Sequence, residues 1–234
     1  MTYNDNNNVI KSTSDIIEST YINLIRGITG LATSDKKGLI FSVSKILQNV
    51  RATDLLISFK KEWDSWKDKG TIKDDYSTTE QHLNCLHELL NFLDNDIPDK
   101  LRFDILKKIL FVAASETISK RDDVLPHQFM QISKNLNSGE FMVLFTAYNL
   151  AKSSDFKFPE NLSAHRWAEL IAENSPLKYS SLVQLYEDNL IKYKLLYDRM
   201  YNDKSGIQMS QHLSLTSLGL DFCRYVEQYD NVKP

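Results

Sequence analysis

Glycine and proline are scarce in this sequence, seven and five among 234 residues. That scarcity excludes a chain built from many tight hairpins and predicts long helices, so the expected class is mainly α. Cysteine is scarcer still. Cys85 and Cys223 lie far apart, each at a helical position among apolar neighbours, which excludes a disulfide scaffold and predicts two buried thiols in a reducing, cytoplasmic setting. No apolar run approaches the roughly 20 residues that span a bilayer. The opening MTYNDNNNVIKSTSD has neither the basic stretch nor the apolar core of a signal peptide, so neither secretion nor contact with a membrane is expected. Long blocks of one charge are missing as well. With 28 Lys and Arg against 31 Asp and Glu, a formal net charge of −3, any attraction to nucleic acid has to come from a local patch. There is no Gly-rich phosphate loop, no Cys-x-x-Cys pair and no Gly-x-Ser-x-Gly elbow. An enzyme is therefore not expected, and no catalytic residue, metal or cofactor is assigned.

What the sequence does contain is helical periodicity. Residues 1–13, with Asn6, Asn7 and Asn8 in a row, offer nothing to bury and are expected to be disordered. Asp15 with Glu18 reads as the start of a helix carrying Ile17, Tyr21, Leu24, Ile25 and Ile28 and ending at Gly30. From about Lys37 a longer periodic segment carries Leu39, Val43, Ile46, Leu47 and Val50. It breaks near Ala52 to Asp54 and continues through Leu56, Phe59, Trp63 and Trp66 to Gly70. The run Ser77-Thr78-Thr79-Glu80 reads as a capping box before Leu83, Leu86, Leu90 and Leu93. Pro98 reads as the first residue of a helix with Leu101, Ile105, Ile109 and Val112. We expect residues 14–121 to form one helical module and place the softest boundary in KRDDVLP, opening a second module over 122–234.

In the second module a short helix carrying Phe129, Ile132 and Leu136 comes first. Ser138 is then expected to cap a helix with Phe141, Leu144, Phe145 and Tyr148, followed by a helix over 163–173 with Trp167, Leu170 and Ile171 on its apolar face. A third helix is expected to bury Leu182, Leu185 and Tyr186 and to stop at Asn189. Residues 190–197 then read as a strand, 198–206 as a polar loop and 207–216 as its partner. The stretch HLSLTSLGLDFCRYVE changes period in its middle. Leu213 and Leu215 alternate at period two, whereas Leu218, Phe222 and Tyr225 or Val226 recur at helical spacing.

This order of three helices, a hairpin and a helix, with LVQLYEDNLI before the hairpin and Leu215-Thr216-x-x-Gly219 after it, resembles the winged helix-turn-helix. The resemblance covers residues 136–228 and implies a two-stranded wing. LPHQFMQISKNLNSGEFMVL together with LSLTSLGLDF also resembles the ends of the Abi-alpha family of bacterial abortive-infection proteins, which implies a part in bacterial conflict with phage.

If the module read DNA, the third helix and the wing would supply the contacts, namely Lys178, Ser181, Gln184, Lys192, Lys194, Arg199 and Lys204. Against that, Glu187 and Asp188 would oppose phosphate if they pointed outward. From Glu160 onward, eight Lys or Arg meet ten Asp or Glu, a local balance of −2, where a DNA reader is normally positive. Phe59, Trp63 and Trp66 lie among Lys60, Lys61, Lys67 and Lys69, which suggests stacking on a single strand. Their i, i+4, i+7 spacing fits better a buried stripe flanked by snorkelling lysines. His82, Cys85 and His87 are metal-ligand types, but His87 points away from the other two, and a core cysteine between surface histidines explains them. Glu116, Arg121, Asp122, Asp123 and His127 form a dense ionisable group that reads more simply as a solvated turn than as a hydrolytic site.

The reading carried forward is a non-catalytic interaction protein that binds a protein partner or a second copy of itself, with Phe59, Trp63 and Trp66 as the patch if they are exposed. The alternative is a winged-helix DNA-binding regulator, and a third reading is a metal-dependent hydrolase around residues 116–127.

Overall fold

A computed structural model describes residues 49–73, 76, 79–95, 99–115, 124–153, 164–197, 200–203, 206–209 and 215–234. The expected helices before residue 49 and the boundary near residue 121 lie outside the described residues. Eight helices and one hairpin are present among those described. They are α1 (Val50–Asp68), α2 (Glu80–Asn95), α3 (Lys100–Ala114), α4 (Leu125–Lys134), α5 (Ser138–Lys152), α6 (Ala164–Glu173), α7 (Ser180–Lys192), β1 (Met200–Asp203), β2 (Gly206–Met209) and α8 (Ser217–Val232). The chain is mainly α. It divides into two compact units, one reaching Met130 and including Val232–Pro234, the other Gln131–Asn231, so the division falls inside α4.

In the first unit α1, α2 and α3 bury an aromatic core. Asn49 starts α1 by accepting the backbone N–H groups of Arg51 and Ala52. The helix ends in a Schellman turn at Gly70, φ 69°, where Thr71 N–H returns to the Trp66 carbonyl and Gly70 N–H to that of Lys67. Phe59, Trp63 and Trp66 are 0, 1 and 1% exposed, and all three rings meet Phe111 of α3 at centroid distances of 5.6, 5.5 and 4.5 Å. They are core and cannot serve as an interaction patch, because α3 already occupies their face. The helix expected to begin at Pro98 begins at Lys100, capped by Asp99 through the N–H groups of Leu101 and Arg102. α3 is buried along most of its surface, as its run ILFVAA requires. His82, expected at the surface, is fully buried, its ring 5.3 Å from Trp63 and 5.0 Å from Tyr76. Thr79 caps α2 at this point by accepting His82 N–H, and the ring of His82 fills the space between Trp63 and Tyr76. His87 is exposed and Cys85 buried.

In the second unit α5, α6 and α7 pack together, and Phe222 of α8 stacks on Phe141 of α5. Asn137, one residue before the expected Ser138, caps α5 in a reciprocal box with Glu140. Glu140 is buried because its second oxygen accepts the Asn189 side-chain amide of α7 at 2.9 Å. That bond also explains why Asn189 does not end α7, since its side chain is anchored while its backbone stays helical. The strand expected over 190–197 is instead the last turn of α7 and its stop. β1 and β2 pair antiparallel from Met200↔Met209 to Asp203↔Gly206, and Leu196↔Leu215 forms a separate bridge.

The stop is a second Schellman turn. Leu195 N–H returns to the Leu190 carbonyl and Lys194 N–H to that of Ile191, with Lys194 at φ 59°. Leu190 and Leu195 are both fully buried, the apolar pair that accompanies the motif. The period change in HLSLTSLGLDF falls at Thr216, which docks on this turn. Thr216 donates its N–H to the Leu195 carbonyl and its hydroxyl to the Lys194 carbonyl, while its oxygen accepts Gly219 N–H to start α8. A Cβ on Gly219 would land on the Leu195 carbonyl oxygen. Gly219→Ala is therefore expected to lower stability by about 1–3 kcal/mol, since a backbone carbonyl cannot move aside as a side chain can. Urea unfolding followed by circular dichroism checks this, and an unchanged midpoint would remove the close approach as a constraint.

Candidate functional site

The residues of the DNA alternative that are described gather on one helix. Ser181, Gln184 and Lys192 share an exposed stripe of α7 with Leu185 and Asp188, at spacings of three, four, seven and eleven residues. Lys178 precedes the helix and Lys194 follows it, both exposed. Arg199 and Lys204 lie outside the described residues. The opposite side of α7 buries Val183, Glu187 and Leu190, a different stripe from the expected Leu182, Leu185 and Tyr186. The sequence hid this stripe because Glu187 stands in its middle. With Glu187 turned inward, Asp188 is the only acid on the outward stripe.

Three side chains of this surface break local preferences. Tyr179 is the N-cap of α7 and makes no side-chain cap hydrogen bond, at a position where Ser, Thr, Asp or Asn is normal. Its ring is 67% exposed. Lys178 has φ 63° and sits at the centre of a three-residue turn in which Tyr179 N–H donates to the Leu177 carbonyl at 2.8 Å, the rare and strained form of the γ-turn. Lys194 holds the left-handed position that α1 gives to Gly70. Sequence reasoning placed both lysines at the site but missed the exposure of Leu185 and Tyr197, which with Tyr179 are 64, 56 and 67% exposed.

Burial, with the Glu88 charge adding to it, pushes the Cys85 thiol up to about 12. Burial pushes Cys223 higher still, and Glu227 acts in the same direction. Neither is a thiolate at neutral pH. Of the expected ionisable group, Glu116, Arg121, Asp122 and Asp123 lie outside the described residues, and His127 stands 3.6 Å from Glu88. Among the described residues no three His, Cys, Asp or Glu converge as metal ligands, and no helix is long and apolar enough to cross a membrane. Tyr148 donates its hydroxyl to Glu227 at 2.7 Å, and Lys152 pairs with the other oxygen, tying α5 to α8. No family model, curated protein or solved structure matches the chain.

Two predictions come from these geometries. Hydrogen bonds from Lys152 and then Tyr148 hold the Glu227 carboxyl below its ordinary value, whereas burial and then Glu227 push Tyr148 up to about 12. The stabilisation from Glu227 is thus present above the usual carboxylate range and lost as pH falls through its depressed value. That from Tyr148 is present below its ordinary value near 10 and is lost as pH rises towards about 12. Tyr148→Phe should flatten the alkaline limb of a stability-against-pH curve and Glu227→Gln the acid limb, both read by urea midpoints across the range. Separately, Lys194→Gly should raise stability by about 1 kcal/mol by removing left-handed strain, and Gly70→Lys should lower it by a similar amount. Equal stability of wild type and Lys194→Gly in thermal melts would mean that Lys194 carries no strain.

Proposed function

We propose that the chain is a non-catalytic binding protein whose 131–231 unit is a winged-helix-like module presenting α7 to nucleic acid. The order α5, α6, α7, hairpin and α8 supports the module. The inward turn of Glu187 carries the ligand class, because it leaves Lys178, Lys192 and Lys194 around an outward stripe whose single acid is Asp188. The interaction reading loses its named patch, since Phe59, Trp63 and Trp66 are core. Binding to a protein partner or a second copy remains the second reading, favoured by Leu185, which stands 64% exposed at the middle of the stripe. A part in phage defence rests on the Abi-alpha resemblance alone.

The electrostatic part of the affinity on this reading is local. Replacing Lys192 and Lys194 together by Ala should weaken binding to random-sequence nucleic acid. It should also reduce the slope of log K against log salt by roughly 1.5, since each phosphate contact contributes about 0.7–0.9. Fluorescence anisotropy across a salt series measures both quantities, with light scattering following the mass. An unchanged slope, or a dimer whose assembly depends on Leu185, would move the reading to protein association.

A further inference from the structure

The left-handed Lys194, the strained Lys178 turn and the uncapped Tyr179 all flank one helix, and this coincidence carries more than any of them alone. The same chain shows the unstrained solution, for α1 ends in the same Schellman turn with Gly70 at the left-handed position. At α7 that position is a lysine, although glycine adopts the conformation without a steric penalty. At the other end, Tyr179 occupies the N-cap although Ser180 is the next residue along. Local preferences broken together at the two ends of one helix point to a role for these side chains other than folding.

What the breaks present to solvent is two pairs of one kind. Lys178 and the 67% exposed Tyr179 stand at the start of α7, and Lys194 and the 56% exposed Tyr197 follow its end, about 20 Å apart for a 13-residue helix. Lys192 adds a third cation near the second pair, its ammonium 5.7 Å from the Tyr193 ring centre. A duplex keeps its bases stacked inside and offers side chains phosphates and groove edges, which call for Arg, Lys, Asn and Gln. The α7 stripe supplies two such readers, Gln184 and Lys192, with Leu185 and Asp188 between them. An unpaired strand offers what exposed tyrosines take, a base face for stacking, and a phosphate for the lysine next to it. We infer that the two Lys–Tyr pairs at the ends of α7 form a stacking surface for single-stranded nucleic acid, selected over duplex.

This rests on the nucleic-acid reading above and fails separately from it. The probes are a fluorescent oligothymidylate of about 20 nucleotides, longer than a site size of roughly 4–16, and a random-sequence duplex of equal length, each titrated with the full chain at low and moderate salt. The single strand should bind at least about tenfold tighter. Tyr179→Ala and Tyr197→Ala should each weaken it by about 5- to 100-fold, the range expected for one lost stack, while Tyr179→Phe and Tyr197→Phe retain binding. Thermal melts confirm that the variants fold, as expected for exposed rings. Duplex binding equal or stronger, or Tyr→Ala variants that bind the single strand like wild type, overturns the stacking surface and leaves the nucleic-acid reading standing. If neither probe binds at low salt, both fall, and α7 is a protein-docking surface.

Discussion

Leu195 sends its N–H back to Leu190, offers its carbonyl to the N–H of Thr216, and leaves that carbonyl room only because residue 219 has no Cβ. On this turn the 131–231 unit depends. It ends α7, fixes where the chain leaves towards the hairpin, and starts α8 through the Thr216 oxygen. A turn buried between Leu190 and Leu195 would otherwise leave carbonyls without partners, at a cost comparable to a lost hydrogen bond for each. Thr216 answers two of them. At the N-terminal side of the same unit, Asn189 ties α7 to the capping box of α5, and Gly139 lies under the ring of Tyr186 with no space for a side chain. Helix α7 is thus held at its C-terminal end and from below, and its outward stripe lies in solvent.

The 49–130 unit uses a different constraint. Its three helices share one aromatic cluster around Phe111, and α3, apolar on nearly every side, has to sit inside. The lysines flanking its tryptophans are what an amphipathic helix places at the edge of a buried stripe. Lys60 pairs with Asp64 on the next turn, and Lys107 of α3 reaches Glu62 at 2.8 Å. The same interleaving of lysine and aromatic that suggests a nucleic-acid surface in the sequence becomes, once the rings are covered, a core edged by the Lys60–Asp64 pair and by exposed lysines. Exposure separates the two outcomes, and exposure is a tertiary property.

That distinction also sets what could be read from the sequence. Periodicity gave α2, α3, α5, α6 and α8 to within a residue or two among the described residues, whereas the break expected near Ala52 to Asp54 lies inside an unbroken α1 that starts at Val50; the Leu-Thr-x-x-Gly step marked the start of α8. The phase of α7 was lost because two stripes compete on it. Leu182, Leu185 and Tyr186 look more apolar than Val183, Glu187 and Leu190, and only the packing against α5 and α6 decides for the second. The end of α7 was lost because Asn189 has the usual chemistry of a helix stop while Lys194 does not. In both cases a favourable local choice yielded to a partner distant in sequence, Glu140 for Asn189 and Thr216 for Lys194. His82 failed in the same way, since histidine alone does not announce a place between two aromatic rings.

The charge balance of −2 that argued against nucleic acid is an average over residues 160–234, whereas binding is felt within a Debye length of about 8–10 Å. Arg166 is engaged by Glu169 and Glu173 along α6, and Glu227 is engaged by Lys152 and Tyr148. These charges are compensated where they stand and project little field towards α7. The balance that matters is taken over the stripe and its two ends, where three lysines face one aspartate once Glu187 is buried. A surface so lightly charged cannot hold a polyanion by counterion release alone, because the few phosphates it neutralises yield modest affinity at physiological salt. Affinity on such a surface has to be completed by contacts that do not depend on charge. The exposed rings of Tyr179 and Tyr197 beside Lys178 and Lys194 are the side chains of this unit positioned to supply them.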